Sequence, residues 1–317
     1  MIPSNLIGSL AMTADAAIDA ALLSGAPGQK TPTSEVGFVA AIVLGAVPDI
    51  ATAWHPILHP HGYSALLTGV FCHQTPQASF TDSSGNPQTC ELADLMIVVD
   101  DITSGAAKRR WAALIQAKMA KANGGKTLSK IKDLAQLDLM TRFPPFRLLP
   151  GYAPGFRDFA TCLYLGTTAD CGWYGLISKR PSREWHQQVP AKSMPAGGRK
   201  LGSFIAKMVE AGQVGFGREA TGVSDDWSRT VNELLMVTRS QVFNYAAGFS
   251  RSQPKQIHKI AFTATFRWPD DQAYGFLHLP ADLLPTGGKP RRLDEAEGPE
   301  GGGISIIHIE IGRSEKG

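Results

Sequence analysis

Two neighbouring apolar stretches decide the reading of this chain: Glu91-Leu-Ala-Asp94-Leu95-Met-Ile-Val-Val99, and Trp111-Ala-Ala-Leu-Ile-Gln116-Ala-Lys118. The run from Cys90 to Val99 is too continuously apolar for a half-exposed strand, so it predicts a central strand covered on both faces. The segment Asp100 to Gly105 turns the chain back, and Trp111 to Lys118 predicts a second buried strand beside the first. Alternation along a strand puts Gln116 and Lys118 on one face. If the two strands pair, Asp94 joins them at one end of a sheet. An acid, an amide and a lysine are costly to bury in an apolar sheet without partners. A hard cation such as Mg²⁺, which takes oxygen ligands and keeps several waters, would satisfy the first two.

Working outward, residues 4–24 read as an Ala/Leu-rich helix, and Gly25 to Ser34 as a connection. Thr33 or Ser34 can cap a second helix from Glu35 to about Ala46. Pro48, Pro56 and Pro60 are expected to interrupt the chain beyond it. Thr68 to Phe80 looks extended, and Asp82-Ser-Ser-Gly-Asn-Pro87 reads as a turn. Beyond the second strand, Leu128, Ile131, Leu134, Ala135 and Leu137 recur at helical spacing before Pro144-Pro145. Further strands are expected at Phe159–Leu165, Trp173–Ser178, Ile260–Trp268, Ala273–Leu279 and Ile304–Ile311, and helices at Leu201–Val209 and around Trp227–Leu235, the latter capped by Ser224. Lys179–Lys200 reads as a basic loop and Thr286–Gly303 as a mobile one.

The 317 residues, 43% hydrophobic and 19% charged, exclude collagen-like, coiled-coil and broadly disordered chains. Cys72, Cys90, Cys162 and Cys171 form no CxxC pair, which favours a reducing cytoplasm. No secretory signal is evident, and the purely apolar run from Val36 to Pro48 is short for a membrane span, so no membrane partner is expected. The net charge of +3 conceals a division: residues 1–107 carry one basic and nine acidic side chains, residues 108–317 thirty basic and nineteen acidic. Ile102 to Lys132 holds eight Lys or Arg and no acid. Such a run suits a polyanion, although a solvated face explains it as well.

The placement of Asp94, Gln116 and Lys118 resembles the PD-(D/E)xK nuclease superfamily, and more closely its Q-x-K branch in Mrr-like restriction enzymes and phage-defence effector nucleases. The resemblance spans about residues 35–142. It implies an α/β fold with a restriction-endonuclease-like mixed central sheet flanked by helices. It divides the chain into an N-terminal helix and connection (1–34), a nuclease core (35–145) and an α+β C-terminal region (146–317) packed on the core. It further implies that Asp94, Gln116 and the Ala117 carbonyl bind Mg²⁺, with Mn²⁺ as a substitute, and that Lys118 acts on the attacking water and the phosphate.

Glu35, on the first core helix, and Glu91 are the further candidate ligands. An amide at position 116 supplies no charge to a cation, which makes one of those acids more necessary. Lys108, Arg109, Arg110, Lys121, Lys126, Lys130 and Lys132 are the candidate contacts to phosphates. His73 and Gln74 are possible accessories, against a plain core role.

The expected function is a metal-dependent endonuclease acting on nucleic acid, double-stranded DNA ahead of RNA, in a defence or restriction setting. A partner protein or self-association is compatible with it. The alternative is a nuclease-fold subunit that binds nucleic acid or a partner without cutting. His55, His59 and His61, separated by prolines, read as a loop, and Gly215-Phe-Gly217 lacks the preceding strand of a dinucleotide site.

Overall fold

The computed structural model describes residues 1–26, 31–72, 76–103, 109–122, 124–149, 152–159, 170–179, 182–212, 214–222, 224–240, 262–266 and 303–313. Among the predicted features, His73, Gln74, Lys108, Cys162, the strand at 273–279 and nearly all of the 159–165 strand and the 286–303 loop lie outside these residues. The helices are α1 (Ser4–Ser24), α2 (Glu35–Ala41), α3 (Val47–Leu58), α4 (Ile131–Arg142), α5 (Leu201–Met208) and α6 (Asp226–Ser240). The strands are β1 (Tyr63–Phe71), β2 (Gln77–Thr81), β3 (Pro87–Glu91), β4 (Leu95–Asp101), β5 (Arg109–Met119), β6 (Lys126–Thr127) and β7 (Phe146–Leu149). They continue with β8 (Gly172–Ser178), β9 (Glu184–Gln188), β10 (Ser193–Met194), β11 (Arg199–Lys200), β12 (Arg218–Glu219), β13 (Phe262–Phe266) and β14 (Ser305–Arg313).

A mixed α/β architecture follows from the placement of β4 and β5. The central sheet runs β11-β9-β8-β5-β4-β14-β1-β13, with β12 also on β5. The β4–β5 pair is antiparallel and sets Leu95 against Ile115 and Asp101 against Arg109. β14, from the end of the chain, lies parallel to β4 and antiparallel to β1. It therefore separates the first strand of the sheet from the strand that follows Asp94.

One face of the sheet (Leu95, Ile97, Val99, Ala113, Ile115, Ile307, Ile309) packs with residues of α1, α2, α3 and α5. The other (Met96, Val98, Ala112, Leu114, Ile306) packs with residues of α4, α6 and the small sheet β3-β2-β7. Cover on both faces is why these strands read as unbroken apolar runs.

Five local expectations need correction. The prolines after Ala46 do not end the helical path. A π-helical turn at Ile42–Ala46 leads straight into α3, with Pro48 in its first turn and Pro56 inside it. The Val47 N–H bonds to the Ile42 carbonyl, five residues back, so the wider turn absorbs the position where Pro48 lacks a donor. The same turn brings the Val43 carbonyl onto β1 at Gly69, where a Cβ would collide with that oxygen.

The predicted single strand Cys90–Val99 is two. Pro87–Glu91 belongs to the small sheet and Leu95–Asp101 to the central one, with the break at residues 92–94. The Lys179–Lys200 loop contains β9, whose Trp185 packs over Gly175 of β8. In α4 the inward residues are Ala135, Gln136, Leu139 and Met140, while Ile131 is 79% exposed.

Asp225, rather than Ser224, caps α6, its Oδ1 accepting from the Ser228 N–H at 2.8 Å. The stretches Ser4–Ser24 and Glu35–His61 are long and apolar enough to cross a membrane by length and composition, and about half of each is buried inside the fold.

Candidate functional site

Backbone groups of β5 alternate between its two neighbours. Leu114 and Ala120 donate to the Cys171 and Ile177 carbonyls on the β8 side, both at 2.8 Å. Toward β4, the Ile115 carbonyl accepts from the Asp94 N–H at 3.0 Å. Past that point β4 has ended, yet β5 runs on to Met119. The Ala117 N–H is received instead by Asp94 Oδ2 at 2.8 Å, and the Met119 N–H by Glu35 Oε1 at 2.7 Å. Two carboxylates from different elements therefore line the side of β5 that the shorter strand leaves uncovered. The local reasons are plain: Ser34 caps α2 by accepting from the Gly37 N–H, which starts the helix at Glu35, and the break at residues 92–94 frees Asp94 from a full strand register.

On the α4 face of the sheet, Gln116 donates its amide nitrogen to Asp94 Oδ2. Its carbonyl oxygen accepts from Gln136 of α4, which also reaches the Glu91 backbone carbonyl at 3.3 Å. Lys118 pairs with Asp133, one turn before Gln136 on α4, at 3.1 Å. Thus α4 holds both polar members of the Gln116-Ala-Lys118 triplet. Gln116 and Lys118 are buried, and Asp94 is half-buried.

Withdrawal from water pushes the Asp94 carboxyl up to about 7, and the Glu35 carboxylate pushes the same way. The Ala117 N–H, Lys118 and the Gln116 amide act in the opposite sense without overcoming it. Burial likewise pushes the nearby Cys90 thiol up to about 12, so it is no nucleophile. Tyr174 of β8 sits beside Gln116 in register, fully buried.

Among the predicted residues, Asp94, Gln116, Ala117, Lys118 and Glu35 come together. Glu91 differs: it ends β3 in the small sheet and enters this network through its backbone carbonyl. The predicted role of Gln116 as an oxygen ligand also meets a different geometry, because it offers Asp94 its nitrogen. Asp133, Gln136 and Tyr174 were not picked out from the sequence. Two polar residues three apart on the inward side of α4 were the available signal, obscured by the apolar positions chosen for that face.

The basic residues divide. Lys121, Lys130 and Lys132 are exposed and Lys126 half-buried, all following the site end of β5. Arg109 and Arg110 lie at its other end. Arg109 stacks on Trp111 and pairs with Glu219 at 3.3 Å. Arg110 turns inward, its Nε 2.7 Å from Asp100 Oδ1 and its Nη2 2.9 Å from Oδ2, and also donates to Asn232. His308 Nε2 lies 2.6 Å from the same Oδ2. Asp100, His308 and Glu310 bring potential ligand atoms within 4.8 Å of one another. A guanidinium engaging both Asp100 oxygens makes this cluster an ion-pair core.

A hard dication suits the donor chemistry at the Asp94 end: two carboxylates, a backbone carbonyl at Ala117 and an amide that can supply oxygen by turning over. No protein-family model, curated protein or solved structure matches this chain.

Proposed function

We propose that the chain is a metal-dependent endonuclease of the restriction-endonuclease-like kind, acting on DNA phosphodiesters. The observation that carries this reading is the convergence of Glu35 and Asp94 on the end of β5, beside Gln116 and Lys118. The Glu35 carboxylate adds to the cost of ionising Asp94, and a dication would relieve it. Mg²⁺ or Mn²⁺, held by Asp94, Glu35 and the Ala117 carbonyl, would supply charge neutralisation at the scissile phosphate and a more acidic water.

The chain's own groups then have distinct tasks. Asp94 and Glu35 fix the position of the cation relative to β5. Lys118, released from Asp133, places a positive charge next to the phosphate and the attacking water. Exposed Lys121, Lys130 and Lys132, with Lys126, follow the strand backbone and give affinity without reading bases. The order α2 with Glu35, β1, β4, β5 and α4, with α3, β2, β3 and β6 between them, supports this reading in part. The insertion of β14 between β1 and β4 is this chain's own departure.

Supercoiled plasmid incubated with Mg²⁺ tests the reading. The wild-type chain should produce nicked and linear forms, lost in chelator and in Asp94→Ala and Lys118→Ala. Unchanged cutting by Lys118→Ala would remove the assignment.

A second reading, a subunit that binds without cutting, draws on one observation: Gln116 meets Asp94 as a donor and occupies an oxygen a cation would need. It predicts DNA retention in chelator with no cleavage in any divalent metal. Cleavage arising only when a partner protein or second messenger is added would instead mark a regulated effector.

A further inference from the structure

Tyr174 has a hydroxyl that accepts and donates nothing among the described residues, although the side chain is fully buried. A buried hydroxyl without a partner costs about 1–3 kcal/mol, so its retention asks for a reason. Its location suggests one. Tyr174 on β8 is the lateral neighbour of Gln116 on β5, and paired neighbours point to the same face of a sheet. Asp94 lies on the far side of β5, and Asp133 is on α4 above. The hydroxyl interacts electrostatically with both, and with Cys90. Register thus sets the Tyr174 ring beside Gln116 on the sheet face that packs with α4. Burial and those neighbouring acids keep the phenol protonated, so it stays a neutral group able both to give and to receive a hydrogen bond.

Gln116 has two orientations with opposite consequences. In the one observed, its nitrogen serves Asp94 and its oxygen receives Gln136. For its oxygen to face a cation with Asp94, the amide must turn over, and its nitrogen then needs an acceptor on the α4 side. Gln136 presents its nitrogen there, held in that orientation by its bond to the Glu91 carbonyl, and an amide nitrogen donates and cannot accept.

We infer that Tyr174 is a positioning residue: its hydroxyl oxygen accepts from the turned Gln116 amide and holds that side chain in its metal-facing orientation. This rests on the nuclease reading above and adds the device that lets an amide serve where an acid would otherwise stand.

Titration calorimetry with Mn²⁺ alone, on the full chain, tests it. Tyr174→Phe should fold at least as stably as wild type, since it removes an unpartnered hydroxyl, while binding Mn²⁺ about 3- to 10-fold more weakly. A carboxylate has no amide nitrogen to accommodate, so in a Gln116→Glu background Tyr174→Phe should change Mn²⁺ affinity by less than about 2-fold. Equal Mn²⁺ affinity in wild type and Tyr174→Phe overturns the inference and leaves the metal site standing. So does an equal loss in both backgrounds. Wild-type protein with no Mn²⁺ binding that Asp94→Asn abolishes overturns the nuclease reading itself, and this inference with it.

Discussion

The two ends of the β4–β5 pair carry the same ingredients and treat them oppositely. Asp94 and Asp100 are six residues apart, about 20 Å along an extended chain; Asp100 lies on β4, and Asp94 in the break just before it. At the far end Asp100 is completely buried, held by Arg110 through both oxygens and by His308, and those partners keep its carboxyl well below the usual range. At the near end Asp94 meets a neutral amide, a backbone N–H and another acid, and its carboxyl is pushed up to about 7. The nearest lysine is committed to Asp133. A closed ion-pair network marks architecture; an acid site short of positive charge is what the proposed metal-dependent function calls for.

The largest expected effect breaks the far end. Asp100→Ala leaves a guanidinium and an imidazole buried without their acceptor and should cost about 3–5 kcal/mol of folding stability in denaturant titration. If Asp100→Ala unfolds within about 0.5 kcal/mol of wild type, the far end is not the structural one.

Next comes the near end, where the effect falls on activity. Asp94→Asn should lower metal-dependent plasmid cleavage by at least about 100-fold, because an amide can neither neutralise nor anchor the cation as a carboxylate does. Its folding should not suffer.

The third effect is a contrast in pH dependence. Asp94 has a folded-state pKa of about 7, above the unfolded value near 3.9, so the native state holds the proton longer. Its unfavourable contribution grows as pH rises from about 4 to 7. Asp94→Asn should therefore gain stability relative to wild type between pH 5 and pH 8. Asp100 runs the other way: its contribution is full above about pH 4 and is lost as pH falls toward its depressed native value. Thermal melts of the metal-free proteins from about pH 2 to pH 8 check both signs, the Asp100 loss at the acid end and the Asp94 change above about pH 4; a flat difference between wild type and Asp94→Asn would contradict the charge deficit at Asp94.

The smallest effects concern DNA affinity. Each of Lys121→Ala, Lys130→Ala and Lys132→Ala should flatten the salt dependence of DNA binding by about one unit of slope, one phosphate fewer being neutralised. Arg109→Ala, at the other end of β5 and already paired with Glu219, should leave that slope unchanged. An equal effect from Arg109 would place DNA along the whole strand rather than at the Asp94 end.

Much of the contrast between the two ends is legible in residues close together in the chain. Leu95–Val99 and Trp111–Lys118 announce two buried strands through continuous apolar runs, and the Gln116–Lys118 spacing places both side chains on one face. The capping serine at position 34 correctly starts the helix that delivers Glu35. The features that escape such a reading are non-local or hidden by composition. Nothing in Ile304–Ile311 tells a reader that the last strand inserts beside β4. The π turn before Pro48 sets the Val43 carbonyl against Gly69, more than twenty residues away in sequence, a contact that no local pattern announces. Gln136 occupies an inward position on α4 where periodicity asks for an apolar residue, because its partners are Gln116 and the Glu91 carbonyl rather than the core. Arg110 looks like one more member of a basic run, and only the register opposite Asp100 turns it inward.

The contrast between the two ends is tested most directly by incubating supercoiled plasmid with wild-type and Asp94→Asn protein, in Mg²⁺, in Mn²⁺ and in chelator. The account predicts nicking by the wild type in metal, none in chelator, and none detectable by Asp94→Asn. Plasmid left intact by the wild type in both metals, or cut equally by Asp94→Asn, would contradict it.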